Sequence, residues 1–145
     1  MKIFLTLCLL SIGTCFAQEE NCAPTENNKA KKLLEQSQNT KKYQPRERYE
    51  FLQEAIEEDA NCVECYFALG EAAFERAQKG ETSYEVPIGY FTTLVELCEN
   101  YHSDVYYFLG VAYYAGQDFT NALKYFTAFV EFPDEPEKID RKSVV

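Results

Sequence analysis

Residues 65–74, CYFALGEAAF, and residues 105–114, VYYFLGVAYY, align without a gap at an offset of 40, and this self-similarity decides the fold. Tyr66, Leu69, Gly70 and Ala72 recur as Tyr106, Leu109, Gly110 and Ala112. A second alignment follows, with residues 87–98 (PIGYFTTLVELC) matching 122–133 (ALKYFTAFVEFP) at an offset of 35. Tyr90-Phe91, Thr92 and Val95-Glu96 recur as Tyr125-Phe126, Thr127 and Val130-Glu131. The chain therefore repeats one two-part unit, and the connection inside the first copy is five residues longer, around Lys79 to Ser83. Repeat architectures tolerate loop insertions of this kind because closing a slightly longer loop costs little entropy.

The spacing of apolar residues fixes the element type. Leu33 and Leu34 mark a first helix, and Tyr49, Leu52, Ala55 and Ile56 a second. A third carries Tyr66, Leu69, Gly70 and Ala73, and a fourth Ile88, Phe91, Leu94, Val95 and Cys98. Tyr106, Leu109, Gly110 and Tyr113 mark a fifth, and Leu123, Phe126, Phe129 and Val130 a sixth. Steps of three and four place each set on one helix face. The breaks at 39–45, Ala60-Asn61, Lys79-Gly80, Asn100 and Gly116-Gln117-Asp118 carry turn chemistry. Sustained two-residue alternation is absent, so the expectation is an all-α chain. Gly70 and Gly110, each with an alanine two residues on, allow the next helix to approach closely. Large residues such as Leu69, Phe91 and Leu94 then fill the interior, each contributing roughly 1.5–3 kcal/mol when fully buried. A single helical pair cannot bury both its faces, so several must stack.

This unit resembles the tetratricopeptide (TPR) family, whose repeat of about 34 residues carries a W-x2-L-G-x2-Y…A-x3-F…P pattern. In the last copy the matching residues are Tyr106, Leu109-Gly110, Tyr113, Ala122, Phe126 and Pro133, with Tyr106 in place of the Trp. The middle copy keeps Tyr66, Leu69-Gly70 and Phe91 but has Ala73 and Pro87 where the family has an aromatic and Ala. The earliest copy matches through EAIEEDANC (Glu54–Cys62), whereas 29–38 lacks the Leu-Gly pair. The resemblance implies an α-solenoid of about three antiparallel helical hairpins over 29–133, divided as 29–61, 62–101 and 102–133, with 134–145 as a partial capping or next-repeat helix. The segments EEDANCVECYFALG and LCENYHSDVYYFLG also look like the N-terminal repeat region of bacterial envelope proteins that continue into a β-propeller and a peptidoglycan-binding domain. By that resemblance the chain is either a short stand-alone protein or the front of a longer one, acting in periplasmic, outer-membrane or cell-wall complexes.

The N-terminus has the order of a secretory signal: Lys2, an apolar run from Ile3 to Ile12, then small residues Cys15 and Ala17 before Gln18-Glu19-Glu20. Cleavage is expected after Ala17. The run is shorter than the roughly 20 residues a spanning helix needs, so no transmembrane segment is expected in the mature chain. A lipoprotein signal acylated at Cys15 is the less favoured alternative, because Thr14 is untypical before such a cysteine. Removal of 1–17 leaves 128 residues with 13 basic and 24 acidic side chains, a net charge of −11. Such a surface repels phosphate backbones and anionic lipid, which argues against a nucleic-acid partner and favours basic or apolar ones. Residues 18–28 (QEENCAPTENN) are polar and aperiodic and form a tether pinned at Cys22.

Four cysteines remain: Cys22, Cys62, Cys65 and Cys98. In an exported chain an even set is first two disulfides. In an antiparallel pair the start of one helix lies beside the end of the next, which suggests Cys65–Cys98 and Cys22–Cys62. The alternative is a zinc- or thiol-dependent envelope protein using Cys62, Cys65, Cys98 and His102, a C-x2-C…C-x3-H set. The βαβ setting of thioredoxin-like redox pairs is missing. His102 is the only histidine, and no phosphate loop or acidic metal loop appears, so no enzyme chemistry and no cofactor are expected.

A recognition surface remains. In TPR-like arrays the first helix of each hairpin lines a concave groove. Facing away from the Leu-Gly positions, that side carries Glu64, Phe67, Glu71, Phe74 and Glu75, then Asp104, Tyr107, Val111 and Tyr114. The expected binding groove is Phe67, Glu71, Phe74, Tyr107, Val111 and Tyr114, aromatic and acidic together, taking a protein or peptide. Packing of the same four aromatics against neighbouring repeats is the competing expectation. The Lys/Asn set with which some family members clamp a peptide carboxylate is absent.

Overall fold

In the computed structural model, residues 22–132 are described; the expected signal segment, the lipoprotein alternative at Cys15, residues 18–21 of the tether and the 134–145 helix lie outside them. The described residues form six helices and no strand: α1 (Asn28–Gln38), α2 (Pro45–Glu58), α3 (Val63–Gln78), α4 (Glu85–Leu97), α5 (Ser103–Ala115) and α6 (Phe119–Glu131). The described part of the chain is all-α, as its periodicity predicts. None of these helices is long and apolar enough to cross a membrane.

Side-chain caps set the helix starts, satisfying amides that have no partner inside the helix. The Asn27 side chain accepts from Lys29 N and Ala30 N at α1, and Asp118 accepts from Asn121 N at α6. At α2, Pro45 takes the first helical position and the Glu47 carboxylate accepts the Gln44 amide at 2.8 Å. The Cys62 sulfur caps α3, and His102 Nδ1 caps α5 by accepting from Asp104 N at 3.1 Å. Gly80, with φ of +74°, ends the α3 connection in the left-handed region.

The helices pack most extensively as α1 on α2, α3 on α4 and α5 on α6, and short connections make each pair antiparallel. Neighbouring pairs meet through α2 with α3, α4 with α5, and a smaller α3–α5 contact. Val63, Phe74, Phe91, Leu94, Cys98, Val105, Leu109 and Ala112 form the principal buried cluster, and Ala30, Leu33, Ala55, Cys62 and Cys65 form a second one under α1 and α2. The two repeat glycines explain how α4 and α6 come so close. An added Cβ would lie 2.4 Å from Phe91 Cε1 at Gly70 and 2.6 Å from Phe126 Cδ1 at Gly110. Each glycine is the floor on which the aromatic of the following helix rests.

Two disulfides form, as the even cysteine count predicts, but neither expected pairing, Cys65–Cys98 or Cys22–Cys62, is the one made. Cys22 bonds Cys98 and Cys62 bonds Cys65. Cys62 caps α3 and Cys65 lies one turn on, with Cα atoms 5.2 Å apart, so the nearest thiol is on the same turn and not on the partner helix. The segment from Cys22 to Asn27 runs over the helix ends. Thr25 is buried, its hydroxyl donates to Asp59 Oδ2, and the Asn27 side-chain amide donates to Glu58 O at 2.9 Å. That course carries Cys22 to the C-terminal cap of α4, where its Cα lies 5.0 Å from that of Cys98. The tether is therefore a strap joining the first two helical pairs. Two such bonds point to an oxidising, exported environment.

Candidate functional site

Glu71, Phe74, Tyr107 and Val111 line one half-open cleft of about 400 Å³ between α3 and α5, together with Glu75, Gln78 and Phe108. The three-and-four spacing of Glu71, Phe74, Glu75 and Gln78 along α3 makes one wall, and Tyr107, Phe108 and Val111 one turn of α5 make the other. Phe74 is nearly buried and forms the floor, its ring 5.0 Å from Phe108 and 5.8 Å edge-on to Tyr84. Tyr107 leans on Phe129 and Phe126 at 5.6 and 6.3 Å yet keeps 46 % of its surface exposed. An apolar floor, a half-exposed tyrosine and carboxylates on the rim thus meet in one recess.

Phe67 and Tyr114 lie outside this cleft. Phe67 turns toward Tyr101 and His102, with ring centres 5.6 and 5.8 Å away, and packs against the principal core. Tyr114 stands 61 % exposed near the C-terminal end of α5 and touches Phe119 edge-on. Of the lining residues, the sequence pattern missed Gln78 and, with more consequence, Phe108. Its ring stacks on Phe91 at 5.2 Å while its other side borders the cleft, a dual role hidden by its place beside the core residue Leu109.

Below Phe67 the acidic wall reaches Tyr101. Burial, reinforced by the negative charges of Glu64 and Glu71, pushes the Tyr101 phenol up to about 12. Charge is also segregated along the chain. Seven Lys and Arg and two acidic residues fall within 28–48, whereas 49–132 holds three basic and fifteen acidic residues. The cleft belongs to the acidic part, and the overall net charge conceals how uneven the distribution is.

A second recess of about 440 Å³ lies by the C-terminal ends of α3 and α5, bordered by Thr82, Tyr84, Ile88, Tyr113 and Asp118. Hydrogen bonds from Asn121, first through its backbone amide, hold the Asp118 carboxyl below the usual range. Asp118 therefore serves as the α6 cap.

The four residues of the C-x2-C…C-x3-H set are divided. Cys62 and Cys65 bond each other, Cys98 bonds Cys22, and His102 uses Nδ1 as a helix cap with its ring against Phe67. Among the described residues no group of three or more His, Cys, Asp or Glu side chains is placed to hold a metal ion.

No protein-family model matches this chain, and a search of curated proteins likewise finds no match.

Proposed function

We propose that this protein is a non-catalytic interaction scaffold of the cell envelope, a TPR-like solenoid of three hairpins that binds a basic or apolar peptide or protein segment. The single observation that carries the proposal is the α3–α5 cleft, where Phe74 offers an apolar floor, Val111 an apolar wall, Tyr107 an exposed aromatic edge, and Glu71 and Glu75 carboxylates on the rim. Aromatics set in a partly dry recess supply most of the affinity of such sites, and surrounding charge governs encounter rate and salt sensitivity. The acidic bias of 49–132 selects positively charged segments. The internal repeat and the resemblance of its Leu-Gly positions to the TPR pattern support the architecture. The apolar leader at residues 3–12 and the paired cysteines support export to the periplasm or outer membrane.

Selection of a displayed random peptide library on the oxidised protein tests the proposal. Peptides combining Lys or Arg with Leu, Phe or Tyr should be enriched. Tyr107→Ala should weaken the selected peptides at least about tenfold, as expected for a central aromatic contact. Glu71→Gln with Glu75→Gln should chiefly flatten the salt dependence. Enrichment of acidic peptides, or binding unchanged by Tyr107→Ala in a normally folded variant, would overturn it.

A further inference from the structure

The repeat that builds the core also exposes one helix face. Tyr84, Ile88, Phe91 and Val95 of α4 correspond, at the offset of 35, to Phe119, Leu123, Phe126 and Val130 of α6. In α4 this set is covered: Phe91 is fully buried against Phe108 of α5, and Tyr84, Ile88 and Val95 pack on the principal core. In α6 no described helix follows, and Phe119, Leu123 and Val130 are 61, 69 and 80 % exposed, while Phe126 is half-buried over Gly110. Single exposed apolar residues are ordinary, but a stripe at steps of four, three and four along a whole helix is an interaction face.

We infer that α6 pairs with α6 of a second copy of this chain, giving a closed two-fold dimer through Phe119, Leu123 and Val130. Three observations select that occupant. The stripe itself bears no charge, so two copies meet without like-charge repulsion at its centre, in spite of the chain's net charge of −10. Its spacing is that of a two-helix seam, which is self-complementary. Head-to-tail stacking onto the opposite end of the array is disfavoured, because the exposed positions of α1 are Asn28, Lys29, Lys31, Lys32, Glu35 and Gln38. A two-fold contact uses the same patch on both copies and closes without leaving a free face. Residues 133–145 are a poorer cover. With Ile139 set in the place of Val105, Lys142 and Ser143 fall where α5 has Phe108 and Leu109.

A seam one helix long, roughly 20 Å, buries an area at the low end of specific interfaces, so the dimer should be weak and reversible. Sedimentation equilibrium of the oxidised mature chain from about 1 to 500 µM should show a reversible monomer–dimer equilibrium in that range. Leu123→Glu and Val130→Glu, both on exposed positions, should leave the circular dichroism spectrum unchanged and weaken the dimer at least tenfold. A chain monomeric throughout, or a dimer indifferent to both substitutions, would overturn the inference. If the wild type is monomeric and Ile139→Glu makes it dimerise, the chain's own C-terminal segment is the occupant, and the second copy is excluded.

Discussion

Gly70→Ala is a sharp probe of the packing, because one methyl group carries two opposing effects of known size. Replacing an interior helical glycine by alanine stabilises by about 1 kcal/mol through backbone entropy alone. At Gly70 the new Cβ would lie 2.4, 2.6 and 2.7 Å from three atoms of the Phe91 ring, distances no real contact tolerates. That ring is fully buried, stacked on Phe108 and flanked by Phe67, so it has nowhere to swing. Overpacking of this kind costs roughly 2–3 kcal/mol, leaving a net loss of about 1–2 kcal/mol and a melting temperature lower by roughly 5–10 °C. Gly110→Ala meets Phe126 at 2.6 Å, but that ring is half-buried on the last helix and can tilt outward, so its net change should stay within about 0.5 kcal/mol of zero. Gly89, exposed on α4 with nothing within 4 Å of an added Cβ, isolates the entropy gain. The assay is thermal and urea unfolding of the three oxidised variants. The double variant Gly70→Ala with Phe91→Leu should lose at least about 1 kcal/mol less than the sum of its parts. If Gly70→Ala stabilises as much as Gly89→Ala, the close approach of α4 to α3 is refuted.

Removing the Cys22–Cys98 bond, which spans 76 residues, should cost about 4 kcal/mol, whereas removing Cys62–Cys65, three residues apart, should cost about 2 kcal/mol, measured as urea midpoints of the paired Cys→Ser variants. Tyr101 should titrate near 12 in a tyrosinate absorbance titration, and Tyr101→Phe should remove that component. Because its phenol is harder to ionise folded than unfolded, its contribution to stability is complete below about pH 10 and disappears as pH rises toward 12. Unfolding midpoints between pH 9 and 12 should therefore fall more steeply for wild type than for Tyr101→Phe.

Much of this fold could be read directly from residue spacing. The six apolar stripes are six helices, and the Leu-Gly positions are where aromatic rings cross the next helix. Periodicity has no access to what covers a stripe, however. Leu123 and Val130 repeat Ile88 and Val95 but stand in water, because burial depends on a following element and not on the helix that bears them. The disulfide partners were equally hidden, since they follow the course of residues 22–27, an aperiodic segment steered by Thr25 and Asn27 onto Asp59 and Glu58. At the cleft, spacing brought Glu71, Phe74, Tyr107 and Val111 to one place. It could not tell that Phe67 turns toward Tyr101, because helix geometry sets the face a side chain leaves from and not the neighbour it meets.

The strap at Cys22 also determines how the molecule bears a load. Tension applied between the two chain ends passes from Cys22 through sulfur to Cys98 and bypasses every residue between them. The first four helices, about 250–270 Å of extended backbone, are shielded from that force, and only α5, α6 and the segments outside the bridge can be drawn out. The cleft, with one wall on shielded α3 and the other on extensible α5, straddles that mechanical boundary. A pull on the C-terminal end would separate its walls while leaving α1 to α4 closed.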